Sequence, residues 1–130
     1  MTETVVFGIP NCDTVKRARA WLTAQAVQHR FHDFKKNGLT PALLQAWVKQ
    51  LGWDPLLNRR GTTWRQLTDA QQRSVQDAAS AQVLMLAHTS LVKRPVVDWG
   101  GGRLTVGFDD GEWAHQLRSQ SSRPSTAPAP

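Results

Sequence analysis

The sequence predicts an α/β domain with a mixed four-stranded sheet, and three observations lead to it. A short apolar run at residues 5–7 is followed by a segment with helical spacing and then by a strand-like segment at residues 29–33. The long middle part of the chain has helical periodicity. After residue 95 the pattern changes to that of a β-hairpin followed by a helix. The predicted order is therefore β-α-β, a helical insert, then β-β-α.

The first helix is predicted from Asp13 to about Ala26. Val15, Ala18 and Leu22 recur at helical spacing and would form its buried face. Because a helix crosses between the strands on either side of it, we expect those two strands to be parallel.

The helical insert is predicted at about residues 40–90. Thr40 is suited to cap a helix that starts with Pro41, and Gly52 is suited to end it. The apolar side chains between them recur at helical spacing, so we expect them to pack in the core and not around a cofactor.

Beyond this helix the insert is less regular. Residues 53–64 are predicted to be irregular. Thr68, followed by Gln71, predicts a capping box for a second helix that runs to about Ala79. Ser80 is predicted to cap a third, shorter helix.

The C-terminal part is predicted to be a hairpin that turns at the three glycines 100–102, followed by a helix capped by Asp109 or Asp110. A parallel strand pair completed by an antiparallel hairpin and a helix is the plan of a thioredoxin-like domain, assigned here to residues 1–118. Residues 119–130 are rich in Ser, Pro and Ala without apolar spacing, and we predict a disordered tail.

Cys12 is the candidate functional residue because it is the only cysteine and lies where the first helix begins. A helix N-terminus presents unpaired N–H groups and a partial positive charge, which favour an anion such as a thiolate. Lys16, four residues later, would add a cation on the same face. The alternative is that Cys12 is a small buried hydrophobe, as lone cysteines often are.

Composition limits the class of protein. The chain has 130 residues and a formal charge of +6, which favours anionic partners. No run of apolar residues is long enough to cross a membrane, and no signal peptide is apparent. One cysteine excludes a disulfide framework and fits a reducing compartment, so we expect a cytoplasmic protein.

No metal site is predicted. His29 and His32 are the only close pair of histidines, and their odd spacing on a strand directs them to opposite faces. Cys12, His88 and His115 are scattered, so no group has the spacing of metal ligands.

Five short motifs resemble the arsenate-reductase-like family that includes the ArsC, Spx and YffB groups. Over roughly residues 4–118 they are Pro-Asn-Cys at 10–12, Lys-Arg-Ala-Arg at 16–19, Leu-Leu-Asn-Arg-Arg-Gly at 56–61, Lys-Arg-Pro-Val at 93–96 and Val-Gly-Phe at 106–108. The chain is most similar to the YffB-type reductases, which are thought to act on thiols with glutathione.

The resemblance implies a role for each matching residue. Cys12 falls on the catalytic cysteine, and Arg94, before a cis-proline at Pro95, falls on an arginine that binds the oxyanion or thiol substrate. Arg60 falls on another arginine of the family. The list of expected substrate-binding or glutathione-binding residues is Asn11, Lys16, Arg60, Arg94 and Pro95.

Three departures from the arsenate reductases argue against arsenate as the natural substrate. Their histidine four residues before the cysteine is replaced by Gly8, and their arginine four residues after it by Lys16. The third arginine is missing from residues 104–107. Spx-type regulators use a CxxC switch, and Val15 stands at the position of the second cysteine.

The resemblance therefore implies a thiol/disulfide reductase that uses one cysteine, with glutathione as co-substrate and no tightly bound cofactor. It leaves open an additional arsenate reductase activity coupled to glutaredoxin. Glutathione or glutaredoxin would release the mixed disulfide, the substrate would be a disulfide or a small oxyanion, and we expect a monomer. The alternative is a regulator that docks on RNA polymerase, as Spx-type relatives do. Direct nucleic-acid binding is not expected, because the basic residues are not interleaved with aromatics on one surface.

Overall fold

A four-stranded mixed sheet forms the centre of the domain. The computed structural model describes residues 3–122, with side chains as far as Arg118. The strands are β1 (Thr4–Gly8), β2 (His29–Asp33), β3 (Val96–Gly100) and β4 (Arg103–Val106), in the order β2-β1-β3-β4. β1 is parallel to β2 and antiparallel to β3, and β4 is antiparallel to β3. The predicted sheet is confirmed.

Helix α1 (Asp13–Ala24) connects the two parallel strands and buries the predicted face of Val15, Ala18 and Leu22. It ends slightly before Ala26, the predicted last residue. Ala26 has φ of 59°, a left-handed conformation that stops the helix. The chain then turns directly into β2.

Gly8 is required where β1 ends beneath α1. A Cβ atom at this position would lie 2.9 Å from Cγ2 of Val15, closer than side-chain atoms normally approach. Only glycine lets the end of the strand and the helix pack this closely.

The helical part contains short helices and one longer pair. They are α2 (Phe34–Asn37), α3 (Pro41–Leu51), α4 (Trp53–Leu56), α5 (Thr62–Gln66), α6 (Asp69–Arg73) and α7 (Ala78–Ala87), followed by a 3-10 turn at Thr89–Leu91. Thr40 caps α3 as predicted, because its Oγ1 accepts the Leu43 N–H at 3.1 Å. Gly52, with φ of 86°, follows its last residue.

Three expectations about this part are wrong. Residues 53–64 contain α4 and α5 and are not irregular throughout. The capping box of Thr68 and Gln71 is present, but α6 ends at Arg73 and not near Ala79. The N-cap of α7 is not Ser80, because Ser80 lies inside that helix.

Asp77 is the N-cap of α7, and it forms a second capping box with Ser80. The Asp77 carboxylate accepts the Ser80 N–H at 2.9 Å, and the Ser80 hydroxyl accepts the Asp77 N–H at 3.1 Å. Since both residue types are good caps, local composition did not decide between them. The hydrogen bonds from the backbone and side chain of Ser80 hold the pKa of Asp77 below its ordinary value.

Two hydrophobic clusters cover the two faces of the sheet. Alternation along β1 directs Val5 and Phe7 towards the helical insert, and Val6 towards α1 and the C-terminal helix. On the second side Trp99 and Trp113 are fully buried, with ring centroids 5.1 Å apart.

The hairpin of β3 and β4 is confirmed, and its three glycines all have positive φ. Helix α8 (Asp110–Ser122) follows, and Asp109 accepts the Glu112 N–H at its start. The first residues of the segment predicted to be a tail, 119–122, are therefore helical. The rest of that segment, 123–130, lies outside the described residues.

Candidate active site

Cys12 lies between β1 and α1 and is the N-cap residue of α1. Its backbone is extended, with φ of −144° and ψ of 119°, and its carbonyl accepts the Lys16 N–H at 2.9 Å. The side chain is half-buried and makes no capping hydrogen bond. The thiol is therefore left for other chemistry at the positive end of the helix dipole.

The thiol lines a cavity of about 550 Å³. The wall is built from four parts of the chain: the start of α1, the residue Asn58 after α4, the segment before β3, and the end of β4 with the segment that leads to α8. Its lining residues are Cys12, Thr14, Arg17, Asn58, Lys93, Arg94, Val106, Gly107, Phe108 and Asp109. We call this space the cleft. Three cations and one carboxylate among these side chains make its lining positive.

Arg94 is a cation of the cleft whose side chain is held by backbone carbonyls. Its Nη1 donates to the carbonyls of Ser90 at 3.0 Å and Val92 at 3.2 Å. Its Nε is buried and has no hydrogen-bond partner within residues 3–122. A buried donor without a partner is costly, and an anionic ligand would supply the missing acceptor.

A short antiparallel pairing fixes Asn58 beside this arginine. Leu57 forms an isolated bridge with Val92, the Asn58 N–H donates to the Leu91 carbonyl at 2.8 Å, and the Lys93 N–H donates to the Leu56 carbonyl at 2.8 Å. The end of α4 and the segment before β3 therefore form one wall of the cleft.

The peptide bond between Arg94 and Pro95 is cis, as the resemblance implied. The Pro95 carbonyl accepts the Gly107 N–H at 2.9 Å. This hydrogen bond joins the residue before β3 to the residue after β4. It therefore connects the two cleft segments that flank the hairpin.

The structure brings together some of the predicted site residues and not others. Cys12 and Arg94 both line the cleft. Lys16 and Arg60 are exposed and do not line it, and neither does exposed Asn11. Pro95 is buried and does not line the cleft.

Sequence reasoning missed Arg17, Asn58, Lys93 and Asp109. For Arg17 a signal existed: Thr14 and Arg17 are three residues apart on α1, and both line the cleft. The other three reach the cleft through pairings distant in sequence, which local spacing does not reveal.

Two further observations concern metals and membranes. No cluster of three or more His, Cys, Asp or Glu side chains suited to a metal ion occurs in the part of the chain that the structure describes. Over the same residues, every helix is too short or too polar to cross a bilayer. The absence of a metal requirement stays a prediction.

The fold and the site define a thioredoxin-like domain with one thiol at the start of its first helix. The model of the ArsC family matches residues 7–116, and the chain belongs to this family. An uncharacterized protein of Haemophilus influenzae is 39% identical over 108 residues, which are 83% of this chain and 93% of that protein. The global transcriptional regulator Spx of Streptococcus pyogenes is 24% identical over 131 positions, which cover 95% of each chain.

Solved structures agree with this assignment. A protein named YFFB is 45% identical, with a TM-score of 0.82, and the match covers 88% of this chain and 98% of that one. An arsenate reductase (ArsC) related protein from Brucella melitensis is 46% identical, with a TM-score of 0.71, and the match covers 85% and 91%. The predicted family resemblance is confirmed.

Proposed function

We propose that the protein is a thiol-dependent reductase in which Cys12 is the nucleophile and glutathione, alone or with glutaredoxin, supplies the second thiol. The observation that carries the proposal is the uncapped thiol of Cys12, which shares the cleft with Arg94 and two further cations. A positive site at a helix N-terminus favours the thiolate, which is the reactive form of cysteine.

The reaction proceeds by two thiol–disulfide exchanges. The Cys12 thiolate attacks the glutathione sulfur of a mixed disulfide between glutathione and a substrate thiol. A bond between Cys12 and glutathione forms, the old disulfide breaks, and the substrate leaves as a thiolate that takes up a proton. A second glutathione loses its proton and attacks the sulfur of the bound glutathione. This releases Cys12 and glutathione disulfide.

The second thiol comes from outside the chain because the sequence contains one cysteine. An internal disulfide therefore cannot form. A reducing compartment such as the cytoplasm would supply the donor thiol and keep Cys12 reduced.

Arg94 orients the anionic part of the substrate. Its unpaired Nε and its guanidinium fork suit a carboxylate or an oxyanion. Among the remaining predicted residues, Asn11 and Pro95 shape the backbone next to Cys12 and Arg94. Lys16 and Arg60 add positive charge outside the cleft.

A disulfide suits this cleft better than arsenate does. Gly8 contributes no side chain, and its packing against Val15 leaves no room for one. Gly107 likewise contributes no donor to the cleft from the end of the hairpin. The donors around a small oxyanion would therefore be fewer than in a site built for it.

A regulator that docks on RNA polymerase is the second candidate, favoured by the similarity to Spx over 95% of each chain. The position of the second switch cysteine is Val15, which is 1% exposed and packed in the core. Capture of purified polymerase by the immobilised protein, lost on heat denaturation, would support this candidate.

The direct test of the reductase is mass spectrometry after incubation with glutathione disulfide. We expect one glutathionyl group on Cys12 and its removal by added glutathione. A chain that stays unmodified, or an adduct that glutathione does not release, would contradict the proposal.

A further inference from the structure

We propose that Arg17, Lys93 and Asp109 select the donor thiol, with the two cations binding carboxylates and Asp109 binding an ammonium group. The inference rests on the proposed reductase function and names the ligand class of the same cleft. That class is a small zwitterionic peptide thiol with two carboxylates and one ammonium.

Arg17 is the first of the selecting residues. Thr14 and Arg17 place one face of α1 along the cleft, next to the helix start that carries Cys12. The side chain is exposed and has no ion-pair partner within residues 3–122. Its donors are thus available to a ligand carboxylate near the thiol.

Lys93 extends across the residue that follows β4. A Cβ atom at Gly107 would lie 3.5 Å from Cε of Lys93 and 3.9 Å from its Nζ. The ammonium of Lys93 therefore lies next to Gly107, where a side chain would otherwise stand. It supplies a second cation near the hairpin, beside Arg94 in the chain but on its own flexible stem.

Asp109 is the one carboxylate among the residues that line the cleft. One of its oxygens accepts the Glu112 N–H at 3.0 Å, which fixes the side chain at the start of α8. A carboxylate has two oxygens with room for several donors, so capacity remains for an ammonium group.

The charges account for the ligand class. When the donor binds, Cys12 is held in a mixed disulfide and is uncharged, so Arg17, Lys93 and Arg94 contribute three positive charges and Asp109 one negative charge. The net charge of +2 balances an attacking thiolate that carries two carboxylates and one ammonium. A cleft with cations alone would favour a simple dianion instead.

The test follows release of Cys12 from a mixed disulfide with 2-mercaptoethanol, which carries no charge. The incoming thiolate forms a new disulfide as the old one breaks, and the departing thiolate takes up a proton. Three thiols are compared: glutathione, mercaptosuccinate with two carboxylates and no ammonium, and neutral N-acetylcysteamine. The measured quantity is the thiol concentration that gives half the maximal rate of adduct loss.

We expect Arg17→Ala and Lys93→Ala each to raise this concentration roughly fivefold for glutathione and for mercaptosuccinate, with little change for N-acetylcysteamine. Asp109→Asn, which keeps an acceptor for the Glu112 N–H, should raise it for glutathione and lower it for mercaptosuccinate. This opposite response separates ammonium binding from a structural role.

The matched controls are Arg65→Ala, Lys49→Ala and Asp110→Asn, which remove the same charges from exposed side chains outside the cleft. They should leave all three thiols unchanged. Equal shifts in cleft and control variants, or variants that do not distinguish the thiols, would overturn the selection role. An adduct that none of the thiols releases would overturn the reductase itself.

Discussion

The cleft and the helical insert both contain arginines, but the protein uses them differently. In the insert, Arg59 donates to Asp54 at 2.7 Å, and its guanidinium carbon lies 5.7 Å from the Trp53 ring and 5.9 Å from the Trp64 ring. In the cleft, the buried Nε of Arg94 has no hydrogen-bond partner among the residues that the structure describes. The first arginine is satisfied by the protein, and the second is not.

We interpret this difference in hydrogen bonding as a difference in role: Arg59 stabilises the fold, and Arg94 is available to bind a ligand. A cation with a carboxylate and two aromatic rings around it stabilises its surroundings and offers little to a substrate. A cation held by backbone carbonyls, with a donor left over beside a thiol, is organised for an anion that arrives later. The predictions below test whether the two regions have these separate roles.

The largest effect is expected from Cys12→Ser. Turnover with glutathione should fall by a factor of about a thousand or more, because the nucleophile is lost. The fold should be unaffected, since serine is a favoured N-cap and the Cys12 side chain makes no capping bond. Steady-state rates and thermal unfolding check both points; retained turnover would remove the catalytic role of Cys12.

Arg94→Ala should lower kcat/KM roughly 10- to 100-fold, the loss expected for a charge-assisted hydrogen bond to the substrate. Arg94→Lys should recover part of the loss, because it keeps the charge but not the fork. Arg60→Ala, outside the cleft, should cost less than roughly threefold. If the Arg60 variant lost more activity than the Arg94 variant, the assignment of the two regions would be reversed.

Arg59→Ala tests the insert by itself. We expect the free energy of unfolding to fall by about 1 kcal/mol, since the ion pair with Asp54 is partly exposed and the ring contacts add little more. The kinetic constants should stay the same. Denaturant unfolding and turnover are measured on one preparation, and loss of activity at unchanged stability would contradict the structural role.

The smallest effect concerns the Asp77 cap of α7. Because Ser80 lowers the pKa of Asp77 in the folded state, the carboxylate stabilises the protein above its unfolded-state pKa, and this is lost as pH falls through the folded value. Asp77→Ala should therefore destabilise the protein at neutral pH, and the difference from the parent should shrink in acid. A difference that grows in acid would show that the sign is wrong.

The fold could be predicted largely because its signals are local. Thr40 and Gly52 set the two ends of α3 through short-range hydrogen bonds. The spacing of Val15, Ala18 and Leu22 fixes the buried face of α1. Local signals failed where two good caps lay close together, as at α7.

The site was predictable only in part. The position of Cys12 follows from the strand-to-helix order, but spacing from it favoured Lys16 as its neighbour. Cys12 has an extended backbone, so helical spacing begins after it, and Thr14 and Arg17 mark the face that lines the cleft. Lys93 enters the site through tertiary pairing, which no local pattern shows.

The central claim is that the fold makes Cys12 a reactive thiolate in a positive cleft. The most direct test compares its alkylation by iodoacetate, an anion, and by neutral iodoacetamide at neutral pH, in the native and the urea-unfolded chain. We expect native Cys12 to react faster than the unfolded thiol and to prefer iodoacetate more strongly, with that preference reduced in Arg94→Ala. Native rates at or below the unfolded ones, with the same ratio between the two reagents, would contradict the account.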